Sequence, residues 1–145
     1  MIQFTEDTIE LMKRDALKSF PYECCGFFFG SEEDDSRNIT VIQEVINTSE
    51  EDQRRRFSIS SADYLHAEKF ALENNLSLLG IYHSHPNHPA IPSERDRQAA
   101  QPFFSYIIIS VSDNHVTGIR SWRINAQEQF EEEQINELVI AKTKQ

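Results

Sequence analysis

The chain has 145 residues and a formal net charge of −10, a length that fits one compact domain over residues 1–145. The negative balance argues against nucleic acid, which calls for a basic footprint. No run of ~18 uncharged apolar residues is present to span a membrane, and the acidic opening stretch lacks the basic start of a secretory signal, so a cytoplasmic protein is the expectation.

In chain order, the spacing of Ile9, Met12, Ala16 and Leu17 predicts a helix over residues 5–19, capped by Thr5, with Glu6 and Asp7 at the positive end of its dipole and Pro21 ending it. Cys24 and Cys25 are adjacent, so they point to opposite faces of a strand, and a mutual disulfide or a zinc-finger pair is not expected. They open CCGFFFG, residues 24–30, which reads as a strand buried on both faces. An acidic turn, SEEDDSR, leads to a second strand at NITVIQEVIN. The charged loop 48–56 holds Arg54, Arg55 and Arg56 behind Glu50, Glu51 and Asp52; it reads as a balanced, solvated segment, with contact to a partner's acidic or C-terminal group as the alternative. FSIS follows as a short extended piece.

A second helix is expected from Ser60, with Asp63 at capping-box spacing, an apolar face of Leu65, Ala67, Phe70 and Ala71, and an end at Asn74 and Asn75. LSLLGIYHSH, residues 76–85, reads as a central strand in which Gly80 marks close approach of another backbone. The loop PNHPAIP is stiffened by its prolines. A short helix from Ser93 to about Gln101 and a hairpin of residues 105–112 and 116–124, turning at Asp113 and Asn114, complete the body. From Gln127 the pattern is ambiguous: Ile135, Leu138 and Val139 fit a helix face, and Leu138 to Ile140 also suit an edge strand. Helices alternating with strands predict an α/β sandwich around a mixed central sheet.

The segment with chemical content is HSHPNHPAIPSERD, residues 83–96. His83 and His85, two apart on a strand, share a face and can converge on one ion. Asp96, one turn into the next helix, can be folded back over the strand end by the stiff loop. Two His and one carboxylate leave a tetrahedral position open, which distinguishes a catalytic zinc site from a structural one. The competing reading is that the histidines are surface or hydrogen-bonded core residues and that Ser93 and Asp96 are an ordinary capping box.

His83-Ser-His85-Pro, with seven residues between His85 and Ser93, then Ser93-x-x-Asp96, resembles the H-x-H-(x)7-S-x-x-D signature of the JAMM (MPN-plus) metalloproteases, and Pro21-Tyr-Glu23-Cys-Cys-Gly26 resembles their upstream P-x-E-x-x-G segment. The likeness extends from the first helix to the hairpin ending near Ile124. It implies a deaminase-like JAMM/MPN sandwich in which His83, His85 and Asp96 bind zinc, Glu23 is the general base, and Ser93 donates toward the oxyanion. It also implies, from the compact prokaryotic members, hydrolysis of the amide bond after the C-terminal Gly-Gly of a ubiquitin-like or sulfur-carrier protein. Such hydrolysis would serve deconjugation, precursor processing or amino-acid release.

Two other classes compete with this reading. A metal-free scaffold would have lost these ligands, and a zinc deaminase would carry P-C-x-x-C, absent here. Either cysteine acting as nucleophile lacks an evident His partner. His88, in the proline loop, is expected in solvent or helping to place substrate; His66 is expected on a helix surface, His115 in a turn, and Trp122 packed in the sheet.

Overall fold

The computed structural model describes residues 1–136. In chain order its elements are β1 (Ile2–Phe4), α1 (Glu6–Ser19), β2 (Cys25–Glu33), β3 (Ser36–Val45), α2 (Ser61–Glu73), β4 (Ser77–Pro86), α3 (Glu94–Ala99), β5 (Ser105–Ser112), β6 (His115–Ile124), β7 (Phe130–Glu133) and β8 (Ile135–Asn136). The strands form one mixed sheet in the order β7-β6-β5-β4-β2-β3-β1-β8, with β4 antiparallel to β2 and parallel to β5. The expected α/β sandwich around a mixed sheet is therefore present.

Strand alternation divides the core. Phe28, Tyr82, Ile107 and Ile109 meet α1 through Ile9, Met12 and Ala16. Phe27, Phe29, Ile81 and Tyr106 meet α2 through Ala67 and Ala71. The three consecutive phenylalanines are all fully buried, as a strand covered on both faces requires. Continuing the period of two from Ile81 puts His83 and His85 on the α2 face, at the carboxyl end of β4.

Several expectations are corrected in detail. β1 lies ahead of the first helix and pairs in parallel with β3; three residues are too few for a readable period. Leu17 and Leu65, expected on apolar faces, are 38% and 68% exposed. In α1 the inward stripe runs through Thr8 and Asp15, whose polar groups find partners on Ile39 O and Tyr82 Oη, which turns Leu17 to the flank. In α2 the stripe is centred on Ala67 and Ala71, and Leu65 faces out. The acidic turn contracts to Asp34 and Asp35, because Glu32 and Glu33 stay in β2 and bond the side chains of Arg37 and Asn38 across the hairpin. His115 opens β6 rather than sitting in the turn. Ile135 lies in a two-residue strand, not on a helix; Leu138 to Ile140 fall outside the described residues.

The close approach expected at Gly80 is present. A Cβ built there would stand 1.9 Å from the carbonyl oxygen of Ser105, its partner on β5. Arg37, buried, closes the same junction by donating to Leu79 O at 2.9 Å, Ser105 Oγ at 3.0 Å and Phe103 O at 2.9 Å. Gly80→Ala should therefore force β4 from β5 and cost about 3 kcal/mol or more in urea unfolding. A loss under ~1 kcal/mol would show that the junction can give.

Candidate metal centre

Four segments meet at the carboxyl end of β4. The strand supplies His83 and His85, which are 1% and 7% exposed. Asp96 comes from α3, where it is the third helical residue of a complete capping box: Ser93 Oγ accepts from Asp96 N at 3.0 Å, and Asp96 Oδ2 accepts from Ser93 N at 2.8 Å. The capping reading of these two residues is thus correct. It also aims the carboxylate, because a side chain bonded back to its own helix start cannot swing into solvent. Glu23 precedes β2 and is buried. Phe57, from the loop between β3 and α2, stacks on the His83 ring with centroids 4.4 Å apart.

One donor atom from each of His83, His85 and Asp96 can be chosen so that all lie within 4.8 Å of one another. His83 Nε2 is 3.5 Å from Asp96 Oδ1, and His85 Nε2 is 3.4 Å from Asp96 Oδ2. Strong N–H···O bonds span about 2.7–3.2 Å, so these contacts are long for hydrogen bonds. They run to the two different oxygens of Asp96, and with one donor atom from each residue the set stays within 4.8 Å, which leaves room for a shared ion. His85 Nδ1 lies 2.8 Å from Pro89 O, a carbonyl acceptor that fixes the tautomer and leaves Nε2 free to ligate. The residues present therefore fit a three-ligand centre with an open position.

The proline loop is pinned to the sheet. Asn87 N donates to Val111 O, Ser110 Oγ to His88 O, and Trp122 Nε1 to Ala90 O. Trp122 is thus more than sheet packing, a role that no local sequence pattern signals. His88 has its ring 6.3 Å from that of His85 at the rim, on an exposed stretch. His66 is exposed on α2, and no described residue outside His83, His85 and Asp96 joins a metal-type cluster.

Burial dominates the electrostatics. It pushes Glu23 up to about 8, with Asp96 adding to the shift and His85 opposing it. It lowers His83 to about 4. Burial would also lower His85, but contact with Asp96 and the Pro89 carbonyl outweighs it and the net shift is upward. Burial would raise Asp96, yet His83, His85 and the Ser93 N–H hold it below the ordinary carboxylate range. Cys24 and Cys25 are both buried and pushed up by burial, Cys25 to about 12, so neither offers a thiolate. A cavity of about 180 Å³ opens beside the cluster, lined among others by Glu23, Arg56, Phe57, His83, Ser93 and Asp96.

The profile of the family described as prokaryotic homologs of the JAB domain matches residues 5–125. The CysO-cysteine peptidase of Mycobacterium tuberculosis is 29% identical over 121 residues, covering 81% of this chain and 79% of the relative. The desampylase of Pyrococcus furiosus is 27% identical over 119 residues, covering 82% and 79%. The solution structure of a protein from Desulfitobacterium hafniense superposes with a TM-score of 0.83 at 31% identity, covering 94% of this chain and 92% of the other.

The raised Glu23 carboxyl has a consequence for the metal-free protein. A folded-state value of about 8 against an ordinary 4.5 means that the native state holds a proton which the unfolded chain gives up. Its contribution to stability is present below about 4.5 and is lost as pH rises through about 8. Glu23→Gln, which never ionises, should raise the Tm of the chelator-treated protein, by a margin that grows from pH 5 to 8 and then levels. A margin independent of pH would show that Glu23 is not desolvated.

Proposed function

Because the chain belongs to the family of prokaryotic homologs of the JAB domain, we propose that it is a zinc-dependent peptidase acting on the amide bond after the C-terminal Gly-Gly of a ubiquitin-like or sulfur-carrier protein. Peptidase-type hydrolysis follows from the family and from the peptidase among its relatives. The finer reading is supported above all by one observation: His83, His85 and Asp96 converge beside a cavity that Glu23 and Ser93 also line. The relatives named CysO-cysteine peptidase and desampylase support a carrier-type substrate. Deconjugation, precursor processing and amino-acid release all use this chemistry, carried by a single domain over residues 1–145.

A zinc ion held by His83, His85 and Asp96 would supply Lewis acidity, acidifying a water and polarising the scissile carbonyl. The remaining work falls to the chain. Glu23, buried beside the ligand cluster and favoured in its ionised form by the positive charge the ion would bring, takes one proton from the attacking water as its oxygen bonds the carbonyl carbon. As the C–N bond breaks, that proton goes to the leaving amine. Ser93 Oγ accepts from Asp96 N, which leaves its own O–H free to donate to the developing oxyanion. Two bonds to one hydroxyl, one accepted and one donated, reconcile capping with catalysis.

The test uses a ubiquitin-fold carrier ending in Gly-Gly, extended either by one amino acid or by an isopeptide-linked lysine peptide, with products read by mass spectrometry. Purified protein should hold about one zinc per chain, and His85→Ala should lose it. Glu23→Gln should keep the metal and lose ~10²–10⁴-fold in turnover. Zinc retained by His85→Ala would sink the ligand set, and full activity of Glu23→Gln would sink the base.

A further inference from the structure

Glu23 sits ahead of β2, in a stretch with no ladder of its own, and its main chain is held from outside. Its N–H donates to Gln53 O at 2.7 Å, and its carbonyl accepts from Asn47 Nδ2 at 3.2 Å. The same Asn47 amide donates to Arg56 O at 3.0 Å, while Asn47 Oδ1 accepts from Ser49 N at 3.0 Å and Ser58 N at 3.1 Å. Two carbonyls on one side and two N–H groups on the other determine which way the amide points. Gln53 locks the loop from within, its Nε2 donating to Asn47 O at 3.1 Å and Ser49 O at 2.8 Å.

The loop thus closed runs from Asn47 to Ser58. One of its ties is at Glu23; another is at Arg56, next to the Phe57 that stacks on His83. Asn47 is at once the anchor of the carboxylate's backbone and of the ring covering a candidate ligand. We propose that Asn47 is a positioning residue for hydrolysis, setting the reach of Glu23 and the seat of Phe57 through its two donated hydrogen bonds. The inference rests on Glu23 being the base. A displacement of about 1 Å at a reacting group can cost ~10²-fold in rate, so the tie reads out in turnover rather than in metal binding.

Asn47→Asp isolates those two bonds. The carboxylate keeps an acceptor for Ser49 N and Ser58 N, and sets oxygen against the carbonyls of Glu23 and Arg56. The full-length zinc-loaded enzyme, assayed with the carrier probes above, should lose ~10–100-fold in kcat with KM within ~3-fold and zinc content unchanged. In the Glu23→Gln background the same change should cost less than ~3-fold further, because the base it positions is gone and only the seat of Phe57 is left to disturb. Wild-type kcat in Asn47→Asp, or losses that multiply in the double variant, would overturn the proposal. Amide exchange separates positioning from folding: protection should fall at Glu23 and hold at Ile107 in β5, whereas a parallel fall at both makes the role structural and overturns it. If the wild type turns over no probe, the functional reading fails, while the exchange at Glu23 still decides whether Asn47 holds that segment.

Discussion

Two carboxylates and two imidazoles share a water-poor recess in a chain of net charge −10, and their mutual electrostatics constrain everything around them. Ionised carboxyls are costly to bury unless a cation or several donors meet them. Asp96 is met by both histidines and the Ser93 N–H and stays ionised; Glu23, with fewer partners, is pushed toward its neutral form. The buried Nδ1 of His83 has no hydrogen-bond partner, and Glu23 Oε1 lies 3.7 Å away. Such a recess is stable only if the backbone holds its members where repulsion and desolvation would scatter them. That requirement explains why so many of the surrounding bonds run from side chain to main chain.

Three devices supply the restraint, each with a distinct origin. The sheet's period of two aligns the histidines without further help. The capping box turns Asp96 inward with bonds that a helix start needs anyway. The segment between them is held to β5 and β6 by Ser110, Val111 and Trp122, so proline stiffness is backed by tertiary contacts. Glu23 is tethered differently, through main-chain bonds to the loop after β3. The positions of His83, His85 and Asp96 thus depend on the sheet and α3, whereas that of Glu23 depends on a loop.

This division accounts for what the sequence made legible. The buried triple-Phe strand, the two long helices, the hairpin turn at Asp113 and the close approach at Gly80 follow from local pattern, because each rests on periodicity or on a residue with few conformational options. The convergence of His83, His85 and Asp96 was readable for the same reason: spacing of two on a strand and a cap three residues before Asp96 are short-range facts. β1 was not readable, since three residues carry no period and its partner lies on β3. The outward turn of Leu17 is not legible because buried Thr8 and Asp15, satisfied by distant groups, look polar in sequence, and that of Leu65 because the inward stripe of α2 is centred on the small Ala67 and Ala71. Asn47 and Trp122 were equally opaque: a loop Asn and a strand Trp acquire their roles from residues as far off as Glu23 and Ala90.

The same division bears on how such a site can change its substrate while keeping its chemistry. Phe57, Arg55 and Arg56 all reach the cavity from the segment that Asn47 closes, whereas His83, His85 and Asp96 come from elements paired or pinned to the core. Substitutions in the loop can alter charge and shape at the cavity wall without moving His83, His85 or Asp96, provided the two amides and two carbonyls around Asn47 remain bonded. Arg54 and Arg95 are already paired with Asp52 and Glu51, while Arg55 has no ion pair among the described residues and Arg56 only a 3.8 Å contact with Glu51. The loop therefore presents its least neutralised cations beside a recess of carboxylates. Arg55 is exposed, which makes it inexpensive to exchange, whereas Arg56 is half-buried with its Nε enclosed.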